Sequence, residues 1–179
     1  MDETDYRKFY DAERYLLDEV GPRFRETGEL EPADFFTLLI WKAERKKNDH
    51  KKRLAKIAGS FENAVHQVAS ELHKSTAHKH RLEVLINKWR FYLPTASAIL
   101  TILYPDVFTV FDWRVCKEVV CAYEPWRSRR SFSDVLWGRY ESFKQAVINQ
   151  TPTHLSLRDK DRFLIGRSTR KSIEHDCKS

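Results

Sequence analysis

Glycine is scarce, with five residues in a chain of 179. Phosphate-cradling loops of the GxGxxG or Walker type need glycine so that backbone amides can close on a phosphate, and these five cannot build one. Nucleotide-dependent chemistry on those folds is not expected. Cysteine is equally sparse. Cys116, Cys121 and Cys177 are odd in number and lack CxxC spacing, which excludes a disulfide framework, a zinc ribbon and a four-cysteine iron–sulfur cluster and fits a reducing compartment. Long hydrophobic runs are missing too. The longest, Ala96 to Tyr104, is broken by Ser97 and Thr101 and is too short for a bilayer, so no membrane partner is expected. The first residues, Met1-Asp2-Glu3-Thr4-Asp5, are acidic and carry no apolar core segment. No secretory leader is therefore expected, and the expected location is cytoplasmic.

What is present describes a globular, basic chain. Apolar residues make up 41%, and 5 Trp, 7 Tyr and 11 Phe are enough to build an ordered core. Residues 1–179 read as one domain, or two small lobes with a cleft between them. Thirty-two Lys and Arg against 26 Asp and Glu leave a net charge of +6, which favours polyanionic partners. The cations come in three runs. Lys42, Arg45, Lys46, Lys47, Lys51, Lys52, Arg53 and Lys56 fall within fifteen residues. Arg127, Arg129 and Arg130 follow Trp126, and a third group extends from Arg158 to Lys171. Each run taken singly also reads as a solvated helix face. Together they make nucleic acid the leading partner class.

Nearly every segment carries helical periodicity. Tyr6, Phe9, Tyr10, Ala12, Leu16, Leu17 and Val20 predict a first amphipathic helix that stops at Gly21-Pro22. Glu31-Pro32-Ala33-Asp34 reads as a helix start, with Phe35, Phe36, Leu39 and Ile40 on its apolar face. Ser60 is a candidate N-cap for a helix whose inner face is Phe61, Ala64, Val65 and Val68. Further helices are expected over 79–87, 95–103, 112–120 and 131–149, the last with Phe132, Val135, Leu136, Tyr140, Phe143 and Val147 inward. A final helix follows Pro152 and includes Leu157, Phe163 and Leu164, and the tail 167–179 is expected to fray. No strand pattern of any length is present, so the expected class is all-α, a multi-helix domain.

The informative stretch runs from Trp89-Arg90-Phe91-Tyr92-Leu93-Pro94-Thr95-Ala96-Ser97-Ala98 to Tyr104-Pro105-Asp106-Val107-Phe108-Thr109-Val110-Phe111-Asp112-Trp113-Arg114-Val115. Pro94-Thr95 begins a helix of small residues that permits close packing. A short extended piece then delivers Asp112 to a helix N-terminus, where free N–H groups and the macrodipole keep a carboxylate ionised. An ordinary N-cap is the structural alternative.

These residues resemble the helix–hairpin–helix DNA glycosylases related to endonuclease III, in which a hairpin of the form LPGVGxKTA leads into a helix and a V-D-T-H-V-like segment supplies the catalytic Asp. Thr95-Ala96 matches the TA of that pattern, and 110–115 matches the region of the catalytic residue. The segments Gly28 to Arg45, ending Trp41-Lys42-Ala43-Glu44-Arg45, and Leu155 to Asp161 are similar to stretches in divergent bacterial members of that superfamily. The resemblance implies a multi-helix glycosylase fold and Asp112 as the catalytic carboxylate. Two departures bear on the chemistry it implies. Arg90 and Tyr92 stand where the hairpin has glycines, and Pro94, eighteen residues before Asp112, stands where the family has its lysine. Pro94 removes the amine for a Schiff base with an abasic sugar, so the implied reaction is monofunctional hydrolysis of an N-glycosidic bond, without lyase activity.

Lys42, Arg45, Lys88, Arg90 and Arg114 are the candidate nucleic-acid contacts, and Trp41, Trp89 and Trp113 the candidate stacking surfaces. For each tryptophan a core position is the plain alternative. His73, His78 and His80 with Glu71 lack metal-site spacing, and neither metal nor cofactor is expected. Cys116 and Cys121 read as buried small residues. Three functions follow: a monofunctional DNA glycosylase, a catalytically inactive DNA-binding module of the same fold, and a helical protein-interaction module.

Overall fold

The computed structural model describes residues 6–177. The acidic residues 1–5 and the last two residues of the basic tail lie outside that range. In chain order the elements are α1 (Arg7–Tyr10), α2 (Ala12–Tyr15), a π turn (Leu16–Val20), α3 (Gly21–Thr27), α4 (Pro32–Ala43), a 3-10 turn (Glu44–Lys46), α5 (Lys47–Ala58), α6 (Phe61–Lys74), α7 (His78–Asn87), α8 (Leu93–Leu103), α9 (Trp113–Glu118), α10 (Glu124–Arg127), α11 (Asp134–Asn149) and α12 (Leu157–Asp176). No strand occurs among the described residues, and the chain is all-α. Nor, among them, is any helix long and apolar enough to cross a membrane.

Local chemistry sets most helix starts. Ser60, Ser133 and Ser156 each accept a backbone N–H two or three positions into the following helix, at 3.0, 3.2 and 3.1 Å. Such caps contribute about 1 kcal/mol apiece. Pro32 and Pro94 occupy first turns, where the missing N–H costs nothing. At the centre lies α8. Its whole length apart from Pro94 is buried, and it touches the π turn, α3, α4, α7 and α10.

The first expected helix needs correcting at both ends. Asp11 breaks α1 from α2 and caps α2 by accepting the Arg14 N–H, which leaves Tyr6 and Tyr10 in solvent. Gly21-Pro22 does not stop the chain. Leu16–Val20 widens into the π turn, with the Gly21 N–H bonded to the Leu16 carbonyl, and Pro22 falls in the first turn of α3. A proline ring collides with the carbonyl four residues back in a regular helix, and the wider turn makes room for it. Gly21 has its own reason to be glycine, because a Cβ there would lie 2.5 Å from the Ile102 carbonyl oxygen of α8. The helix ends instead at Gly28, at φ 77.

Two more expectations change. On α11 the inner face is Leu136, Tyr140, Phe143 and Val147, at steps of four, three and four, whereas Val135 sits about 100° off that stripe and is exposed, as is Phe163 beside the buried Leu164 of α12. The tail does not fray at residue 167. α12 continues to Asp176, buries Ser168, and is tied to α9 by Arg167 and Lys171, which both pair with the buried Glu118 at 2.5 and 2.9 Å.

Candidate functional site

The segment leading to Asp112 is extended and buried yet has no strand beside it, so its backbone groups must be satisfied by side chains. Three helices supply them. The Thr109 N–H donates to the Tyr140 hydroxyl at 3.0 Å, and that hydroxyl donates back to the Thr109 carbonyl at 2.8 Å. The Val110 N–H and the Thr109 hydroxyl both donate to Asp161 of α12, at 3.2 and 3.0 Å. The Phe111 N–H donates to Ser97 Oγ of α8 at 2.9 Å. Burial pushes the Asp161 carboxyl up to about 6, against the opposing pull of Arg158 and these donors.

Asp112 follows and caps α9. Its Oδ1 accepts the Arg114 N–H at 2.9 Å and the Arg114 Nε at 3.1 Å. Its Oδ2 faces Lys42 Nζ at 3.6 Å. Burial works to raise this carboxyl, but the hydrogen bonds from Arg114 and the charge of Lys42 outweigh it and hold the group below the usual carboxylate range. Asp112 is thus ionised near neutrality. Lys42 arrives from the last turn of α4, and burial pulls its ammonium below the ordinary lysine value against the attraction of Asp112.

Around this pair opens a cleft of about 460 Å³. Trp41 and Lys42 come from α4, Glu13 from α2, Arg158 and Arg162 from α12, and Arg114 from α9. Arg158 joins three of these parts. It bonds Glu13 through Nε at 2.8 Å, pairs with Asp161, and holds its guanidinium 5.5 Å from the Trp41 ring centroid. Arg162 donates to the same Glu13 oxygen at 2.9 Å. Four cationic side chains thus line the cleft with Glu13 and Asp112, while Asp161 and Asp159 pair with Arg158 and Arg162 at its edge. The Trp41 edge offers a surface for a flat ligand.

The predicted site residues separate accordingly. Asp112, Lys42, Arg114 and Trp41 converge on the cleft. Trp113 lies next to them in sequence and is 54% exposed, open to a ligand. Trp89 has no exposed face to stack on a base: it is wholly buried and its indole N–H donates to Glu71 at 2.9 Å, so its role is core packing. Lys88 is committed to the same Glu71 and lies 5.1 Å from the Trp89 ring centroid. Arg45 is exposed on the 3-10 turn and does not line the cleft, and the guanidinium over Trp41 is that of Arg158. Arg90 lines a separate pocket with Arg53, Tyr92 and Arg130.

Glu13 carries no signal in the sequence, and Arg158 and Arg162 stand there only as members of the third basic run. Their link to Asp112 spans most of the chain, and no local spacing signals it. The histidines of the 73–80 segment have separate partners, His73 with the Arg25 carbonyl, His78 with Arg81 and His80 with Glu83. Among the described residues no group of three or more His, Cys, Asp or Glu is arranged to hold a metal ion. The chain matches no family model, no curated protein and no solved structure.

Proposed function

We propose that this chain is a DNA-binding protein of the helix–hairpin–helix glycosylase type, which hydrolyses an N-glycosidic bond with Asp112 as its essential carboxylate. The observation that carries this reading is an ionised carboxylate recessed in a cation-rimmed cleft beside Trp41. A nucleotide turned out of its duplex enters the cleft, its phosphates drawn by Arg114 and Arg162 and its base laid along Trp41. As the bond from C1′ to the base breaks, the base leaves with the electron pair and positive charge develops on the sugar. Asp112 stabilises that charge. A water molecule then adds at C1′, and its proton passes to solvent or to the departed base. Lys42 and the α9 N-terminus fix the carboxylate in position for this step. Pro94 offers no amine, so strand cleavage through a Schiff base at that position does not follow.

A second reading is a catalytically inactive DNA-binding module. Both Asp112 oxygens are already engaged, Oδ1 by the Arg114 N–H and Nε and Oδ2 by Arg114 Nη2 and Lys42, as in a purely structural cap. The test is a base-excision screen on labelled duplexes carrying uracil, an oxidised guanine, an alkylated adenine or a mismatch, followed by hot alkali. Scission by the wild type and none by Asp112→Asn is the expected result. Equal DNA retention by both proteins with no scission by either establishes the binding module. Loss of both scission and steeply salt-dependent DNA retention leaves the protein-interaction reading.

A further inference from the structure

Away from the Asp112 cleft, a pocket of about 350 Å³ is lined by Arg53 of α5, Arg90 and Tyr92 of the α7–α8 connection, and Arg130, just before α11. Three arginine side chains line one cavity, and none of the described residues on its wall carries a carboxylate. Among the described residues none of the three forms an ion pair with an acid. Arg53 is held from behind: its guanidinium stacks 5.0 Å from the Phe91 ring centroid, and its Nη2 donates to His50 Nδ1 at 2.7 Å. Yet its Nε is buried and has no hydrogen-bond partner, the one such side-chain nitrogen or oxygen among the described residues. Arg90 adopts φ 58, a left-handed conformation that a side chain rarely takes. Arg130 lies 5.6 Å from the Tyr92 ring centroid.

Each of these features opposes stability on its own: like charges brought together, a buried donor left unsatisfied, and a strained backbone under a long side chain. An anion relieves the first two. Guanidinium forks match the oxygens of a phosphoryl group. The Tyr92 ring holds the Arg130 guanidinium 5.6 Å from its centroid, which leaves no room for a base between them and sets a third fork on the pocket wall. We infer that this pocket binds the phosphoryl group of a nucleotide unit on Arg53, Arg90 and Arg130. The inference goes beyond the proposed function and does not depend on Asp112.

The unit can belong to an unpaired strand or be a free nucleotide, and competition distinguishes them. A fluorescent, 5′-phosphorylated single-stranded hexanucleotide is titrated by anisotropy over a range of salt. It is then competed with the unlabelled strand, with a nucleoside 5′-monophosphate and with the bare nucleoside. Arg53→Met and Arg90→Gly are each expected to weaken strand binding about tenfold and to reduce the slope of log K against log salt by about 0.7, the loss of one phosphate contact to a single strand. Arg90→Gly guards against misfolding, because glycine adopts φ 58 without strain, and its melting temperature should match or exceed the wild type. Competition by the monophosphate as effective as by the strand assigns the site to free nucleotides, and competition by the strand alone assigns it to nucleic acid. Folded Arg53→Met and Arg90→Gly proteins that bind the strand with unaltered affinity and slope would overturn the inference. So would a bare nucleoside that competes as well as the monophosphate. The same losses in an Asp112→Asn background are expected, so failure of the catalytic reading leaves this result standing.

Discussion

Two arginine clusters treat charge in opposite ways. Around the start of α12, Arg158 and Arg162 meet Glu13, Asp159 and Asp161, and every guanidinium has an acid beside it. Around the α7–α8 connection, Arg53, Arg90 and Arg130 line one pocket, and among the described residues none of them forms an ion pair. Arg158 and Arg162 come from one basic run, Arg53 and Arg130 from two others that look like it in sequence, and Arg90 stands outside all three. What separates them is the carboxylates that the fold brings from elsewhere, Glu13 lying 145 positions from Arg158. A cation run therefore says little about ligand binding until its partners are known. The third basic run is largely consumed in holding α12 to α2 and α9.

The contrast can be tested by breaking each cluster in turn. Arg158→Met removes the partner of a fully buried Asp161 and should cost about 3–5 kcal/mol in urea denaturation, while Arg130→Met should leave stability nearly unchanged. The next effect is pH-dependent. Burial first, then the charge of Arg53, holds His50 down to about 4. The unfolded chain therefore binds this proton more readily, and the contribution of His50 to stability is lost as pH falls from about 6.5 through 4. Between pH 7 and 5 the loss should be about 2 kcal/mol, and a His50→Gln variant should lack it. Asp161 runs the other way. Its carboxyl is raised to about 6, so the folded chain takes up the proton first and stability rises as pH falls through 6. The gain between pH 7 and 5 should be about 1 kcal/mol, and Asp161→Asn should abolish it. Smallest is Arg90→Gly, which relieves a left-handed side-chain residue and should stabilise the free protein by about 0.5–1 kcal/mol. A destabilised Arg90→Gly would show that the Arg90 side chain supports the fold and would remove the contrast between the clusters.

Much of the helical frame was legible because its signals are local: the steps of three and four in 61–68, the Ser60 cap, Pro32 at a first turn, and Asp112 ahead of a helix. The π turn was not, since Gly21-Pro22 has the composition of a stop and only the contact with Ile102 shows why the chain continues. Half of the cleft was legible, through Trp41, Lys42, Asp112 and Arg114. Lys42 differs from its basic neighbours only in closing α4 next to Trp41, with its side chain turned inward, while Arg45 and Lys46 on the following turn are solvated. Trp89 shows the limit of reading aromatics by type: core tryptophans and stacking tryptophans have the same composition, and burial alone tells them apart. The Arg53, Arg90 and Arg130 pocket draws on three distant positions, and no spacing connects them.

The strandless segment before Asp112 has a consequence of its own. A strand in a sheet can slip by two residues and still find a full row of partners. Residues 109–111 have no second row to find, because their partners are single atoms on Tyr140, Asp161 and Ser97, each anchored in a different helix. The position of Asp112 is therefore an all-or-none property of the assembled helices. Amide hydrogen exchange at Thr109, Val110 and Phe111 should report it by following the slowest, global opening of the molecule rather than the faster fluctuations of a connecting loop.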